Sequence, residues 1–122
     1  MKAFIAALGL LATLTGLAFF TSCIFSQKAD ALTCEAIALN SMMPTEREAA
    51  VQKVAGAWEN DQFIFALTIN HTELDDIEAY LSRLNAAAKN QNGDEYFIAV
   101  SELTTAFTHI KELCAVSWDN IL

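Results

Sequence analysis

Thr72–Lys89 reads TELDDIEAYLSRLNAAAK, and its apolar residues fall at Leu74, Ile77, Leu81, Leu84 and Ala88, in alternating steps of three and four. Such steps put one side chain per turn on a single stripe of an α-helix, the a and d positions of a heptad, whereas a half-buried strand alternates by two. Downstream, Lys89-Asn90-Gln91-Asn92-Gly93 supplies polar turn residues and a glycine, and Asn92 with Glu95 has the spacing of a capping box. The next stripe is Tyr96, Val100, Leu103, Phe107, Ile110 and Cys114 with the same steps. Two helices joined by so short a turn lie antiparallel.

Upstream, Thr72 and Asp75 form a second capping-box spacing, and before them Phe63-Ile64-Phe65-Ala66-Leu67-Thr68-Ile69 is nearly all apolar. With no second strand candidate to pair with, this run reads as helix covered by its neighbours, continuing the stripe Val51, Val54, Ala55, Trp58. A surface that docks against a partner or against the N-terminal segment is the alternative for this run. Thr45 with Glu48 predicts the start of that helix, just after Pro44 interrupts an earlier one over Lys28–Asn40, whose apolar side is Leu32, Ala36, Ile37 and Leu39. The expected fold is therefore all-α, an N-terminal transmembrane helix followed by a small antiparallel bundle of two helical hairpins.

Ala3–Phe25 carries no charge, with Lys2 just before it and Lys28 just after. At about 1.5 Å per residue, such a helix crosses a hydrocarbon core of roughly 30 Å. Three fates are open. A cleaved signal would use Ala29-Asp30-Ala31, and a lipoprotein would use Cys23 after Phe20-Thr21-Ser22. An uncleaved anchor fits the length best. The positive-inside rule then puts the N-terminus in the cytoplasm and the rest of the chain outside. The division expected is residues 1–27 as anchor or signal segment and residues 28–122 as one extracytoplasmic helical domain.

The chain has 122 residues, and all fifteen Asp and Glu follow the apolar segment against six Lys and Arg, so the remainder carries a net charge of about −9. Scattered single cations do not make a phosphate-binding surface, which excludes nucleic acid as a partner class. The same charge is repelled by an anionic bilayer surface.

His71, Glu73 and Asp75, with Asp76, set an imidazole among carboxylates at a helix start, and His109 joins them if the last helix packs there. Those side chains suit a small ligand or a divalent metal, but acidic residues in a first helical turn are expected from the helix dipole alone. A histidine hydrogen-bonded where two helices meet is the simpler reading of His71. Cys34 and Cys114 lie in the exported part, where an oxidising compartment permits a disulfide between the first and last helices, and Cys114 equally suits an apolar helix face as a free thiol. Trp58, Phe65, Phe97 and Phe107 read as core. No serine or cysteine stands in a nucleophile motif, and no metal or cofactor is expected.

From Trp58 to the C-terminus the chain resembles a bacterial family catalogued as domain of unknown function 4363. The residues that carry the likeness are Trp58, then FALTINHTELDDI over Phe65–Ile77, Leu81 with Arg83-Leu84, Val100–Leu103, His109-Ile110, and the ending Asp119-Asn120-Ile121-Leu122. Asn70 stands where that family more often has aspartate. The resemblance implies a membrane-tethered, extracytoplasmic helical protein and brings no activity with it. Together the residues and the resemblance give an expectation: a non-enzymatic adaptor that contacts the membrane through residues 3–25 and binds an envelope or membrane protein, with self-association open. A ligand or metal sensor centred on His71 is the alternative.

Overall fold

The computed structural model describes residues 1–67 and 69–119, with the backbone alone at Ser22 and over residues 114–119. The described residues form four α-helices, α1 (Lys2–Ala38), α2 (Arg47–Ala66), α3 (His71–Lys89) and α4 (Gly93–Asp119), and one 3-10 turn, Leu39–Ser41. No strand occurs among the described residues. Each helix packs against two others, α1 with α2 and α4, α3 with α2 and α4. The two hairpins thus close into an up-and-down bundle with α1 facing α3 and α2 facing α4 across the centre.

The stripes explain the packing. Leu74, Ile77, Leu81, Leu84 and Ala88 of α3 are buried, as are Tyr96, Val100, Leu103, Phe107 and Ile110 of α4, and Val51, Val54, Trp58 and Phe65 of α2. On α1 and the 3-10 turn that follows it the buried set is Phe25, Ala29, Leu32, Ala36 and Leu39, again in steps of four and three. Ile37, expected on the apolar side of this helix, is instead half exposed, because the stripe runs through its neighbour Ala36. The expected core residue Phe97 is likewise partly exposed, at 43 %.

Rings from three helices stack through the centre. Trp58 lies 5.8 Å from Phe65 at an interplanar angle of 12° and 5.8 Å from Phe107, and Phe65 lies 6.3 Å from Phe25. The indole Nε1 of Trp58 donates to Glu78 Oε1 at 3.1 Å, so this large ring is buried without an orphaned donor. At the other end of the bundle the guanidinium of Arg47 sits 4.4 Å from the Tyr96 ring and 5.0 Å from that of Phe97.

Helix starts differ from the sequence reading at two of three places. Met43 to Glu46 form a β-turn closed by Glu46 N–H donating to Met43 O at 2.8 Å, with Pro44 where prolines favour such turns. The turn takes up Thr45, so α2 begins at Arg47 after Glu46, and the expected Thr45–Glu48 box does not form. On α3 the cap is Asn70, whose Oδ1 accepts from Glu73 N–H at 3.0 Å, two residues ahead of the expected Thr72. Asparagine caps better than threonine, and Asn70 is extended, with ψ 160°. The third cap stands: Asn92 Oδ1 accepts from Glu95 N–H at 3.3 Å.

The α3–α4 turn is a Schellman motif, with Asn92 N–H donating to Ala87 O and Gln91 N–H to Ala88 O. Its left-handed residue is Gln91, at φ 53°, and not the glycine; Gly93 is already the first residue of α4.

α1 is one uninterrupted helix for its whole length. Its residues from Met1 to Phe20 are all exposed, and its apolar half is long and hydrophobic enough to cross a membrane, with a mean hydropathy of 2.1 in its most apolar window. The hydroxyls there are satisfied locally, Thr13, Thr15 and Thr21 each donating to the carbonyl four residues back at 2.8–2.9 Å.

Candidate functional site

Of the polar residues singled out in the sequence, the fold brings two into contact. His109 Nε2 of α4 lies 3.2 Å from Glu73 Oε1 of α3. Neutral imidazole donating through Nε2 leaves Nδ1 as an acceptor toward solvent. His71 and Asp75 do not join them: both are exposed on α3, and among the described residues His71 has no side-chain hydrogen-bond partner, contrary to the expectation of a histidine bonded where helices meet.

Behind the Glu73–His109 pair runs an open groove of about 440 Å³ between α3 and α4, lined by Asp76, Tyr80, Ser101, Glu102 and Thr105 among others. Its far wall carries a second bridge between these helices, Arg83 to Glu102 at 2.6 Å. Sequence reasoning missed Tyr80, Ser101, Glu102 and Thr105. The signal for them was their place beside the α3 and α4 stripes, on faces that an antiparallel hairpin brings together.

The chemistry available is limited. Ser101 and His109 stand eight residues apart on one helix, about 12 Å along its axis, too far for a serine–histidine dyad. Among the described residues no three His, Cys, Asp or Glu side chains gather as metal ligands. Cys23 and Cys34 are free and exposed on α1. The Cys34–Cys114 pairing turns on Cys114, whose side chain lies outside the described residues.

Polar pairs also mark every other seam of the bundle. Lys28 meets Asp61 at 3.0 Å between α1 and α2, Asp30 meets Lys111 at 2.6 Å between α1 and α4, and Gln52 Nε2 donates to Asn85 Oδ1 at 3.0 Å between α2 and α3. Exposed pairs of this kind add little stability each. What they define is register, since each fits only one sliding position of its helices.

The Phe63–Ile69 run is divided by the end of α2. Phe65 and Ile69 are buried, while Phe63 and Leu67 are 74 % and 69 % exposed. The reading of the whole run as covered helix is therefore corrected: helical geometry puts Phe65 on the core stripe and swings Phe63 and Leu67 to the outer face.

A family model described as Domain of unknown function (DUF4363) matches residues 21–121. The match takes in the first half of α2 and the bundle half of α1, both of which precede Trp58, where the residue-level resemblance begins. No curated protein and no solved structure matches the chain.

Proposed function

The chain belongs to the DUF4363 family, and from that premise we propose that it is a bacterial, membrane-anchored, extracytoplasmic helical module that binds another envelope or membrane protein and performs no catalysis of its own. One observation carries the reading. α1 is a single helix whose first half is bare, apolar and satisfied in its own hydrogen bonds, while its second half is a quarter of the bundle core. Bare apolar helix of that length suits a bilayer, where every backbone polar group is bonded within the helix. Lys2 before it, as the nearest positive charge, supports an orientation with the N-terminus in the cytoplasm and the bundle outside.

The test is cross-linking in intact cells of the full chain tagged at its C-terminus, followed by membrane purification and mass spectrometry. A reproducible membrane or envelope protein joined to it supports the reading. Recovery as a lone monomer opposes it. External protease removing the tag from intact cells checks the orientation independently.

The α3–α4 groove gives some support to a second reading, a ligand or divalent-cation sensor, now centred on Glu73 and His109 and no longer on His71. Calorimetry of the full chain in detergent with Zn²⁺, Mn²⁺ and Ca²⁺ decides it. Absence of heat and of any melting shift ends it.

A further inference from the structure

We propose that the α2–α3 corner of the bundle rests, through Phe63 and Leu67, in the interfacial layer of the same bilayer that α1 crosses; this rests on the anchoring reading above. Phe63 and Leu67 are four residues apart and share one face of the chain at the end of α2, both largely exposed. Further from that end the outer face of α2 shows Gln52, Gly56, Glu59 and Asn60. Large apolar exposure on this helix is thus confined to its last turn.

The register of α1 and α2 says where that turn lies. Phe25 packs against Phe65, and Lys28 bonds Asp61. The two helices are antiparallel, so the two residues beyond Phe65 bring Leu67 level with residues 21–24 of α1. Those residues follow directly on Phe20, the last large apolar side chain of the bare half, which is 62 % exposed. If Ala3 begins the hydrocarbon crossing, about 20 residues at roughly 1.5 Å each fill it, and the turn after Phe20 lies at the headgroup boundary. Leu67 then lies at that boundary and Phe63 about one helical turn further out.

Continuity with α1 identifies the occupant as lipid. α1 runs without a break from its bare half into the bundle, its last glycine, Gly16, lying well inside the bare half, so the corner cannot be held away from the surface by a flexible linker. Apolar side chains beside a spanning helix insert at the acyl–headgroup boundary, as those of interfacial helices do. Glu59 and Asp61 flank the corner, the latter neutralised by Lys28, so a zwitterionic surface fits it better than an anionic one.

The experiment uses the full chain, with Cys23→Ser, Cys34→Ser and Cys114→Ser, carrying one new cysteine at a time: Phe63→Cys, Leu67→Cys, Gln52→Cys on the same outer face, and Leu11→Cys in the bare half of α1. Each is labelled with a nitroxide and reconstituted in phosphatidylcholine vesicles. Its accessibility to oxygen, which concentrates in lipid, is compared with that to a water-soluble nickel chelate. All four positions are exposed, and circular dichroism melting confirms that each variant folds. The expected result is an oxygen preference greatest at position 11, several-fold lower but distinct at 67 and 63, and none at 52. Labels at 63 and 67 as open to nickel as the one at 52, with position 11 in lipid, overturn this proposal and leave the anchor standing. Shielding of 63 and 67 from both reagents overturns it in favour of a protein cover. A label at 11 open to nickel overturns the anchoring reading, and this proposal with it.

Discussion

The hydroxyl of Tyr96 on α4 donates to the main-chain carbonyl of Leu39 at 2.7 Å, inside the core and across 57 positions of sequence. The bond does two jobs. It adds a short second bond to a carbonyl just past the end of α1 whose other donor, Met42 N–H, lies at 3.4 Å, and it ties the first helix to the last at the end of the bundle farthest from Phe25. Tyr96→Phe keeps the ring and leaves the carbonyl buried without that donor. Since Met42 N–H still reaches that carbonyl, the expected loss is about 1 kcal/mol of unfolding free energy, read by urea titration of the full chain in detergent.

The same burial gives that tyrosine a pH signature. Desolvation raises the Tyr96 pKa above 10.0, and the neighbouring Arg47 offsets this only in part. The unfolded chain therefore releases this proton at a lower pH than the folded one. Tyr96 contributes its full share of stability below pH 10 and loses it as the pH rises through the folded value. Wild type should lose stability above about pH 10 more steeply than Tyr96→Phe, and the difference between their melting-temperature curves is the measurement.

At Gln91 the backbone adopts φ 53°, a conformation that burdens any residue with a Cβ. Gln91→Gly should stabilise the protein by about 1 kcal/mol, while Gly93→Ala, inside a helix and with a new Cβ only just within reach of the Arg47 guanidinium, should be neutral or better. Thermal melts of the two variants side by side test the assignment of the left-handed position.

Asn70 supplies the α3 cap. Asn70→Ala should cost about 1 kcal/mol, and Asn70→Asp should cost almost nothing, since aspartate caps as well as asparagine. Chemical denaturation of the pair checks this. It also gives the aspartate that the family resemblance places at this position a structural role, with no catalytic duty needed.

Trp58 joins three helices through its ring contacts and its bond to Glu78. Trp58→Ala should lose about 3–5 kcal/mol, and Trp58→Phe clearly less, in equilibrium unfolding.

The stripe of α3 was legible because polar residues surround nearly every apolar one, so the period stands out against its background. On α4 the same period is clear from Leu103 onward, whereas Tyr96–Val100 is unbroken apolar sequence, and there Phe97 reads as core although it is partly exposed. On α1 the same period was hidden, because Phe25 and Ala29 sit in or beside a segment that is apolar on every side. The Phe63–Ile69 run was opaque for the same reason: composition cannot separate Phe65 from Phe63 when both are phenylalanine, and only the direction of α2 does. The caps at Asn70 and Glu46 were displaced by competition, a stronger capping residue in one case and a proline turn in the other. Of the candidate site, the meeting of Glu73 with His109 was legible as a condition on how α4 packs. The bridges Lys28–Asp61, Asp30–Lys111 and Arg83–Glu102 were not, since each joins residues whose nearness depends on register.

α1 also has a mechanical consequence. From Leu17 to Ala38 it contains no glycine or proline and no break, and the bundle is built around its second half. The bundle therefore has no swivel of its own, and whatever holds the bare half sets its direction. A lever of about 17 residues from Phe25 to Met42 is roughly 25 Å long, so a 10° lean of the helix carries the Pro44 turn sideways by about 4 Å. Rotation about the helix axis is transmitted just as directly, and it acts on the seam with α4 through the Asp30–Lys111 and Leu39–Tyr96 bonds.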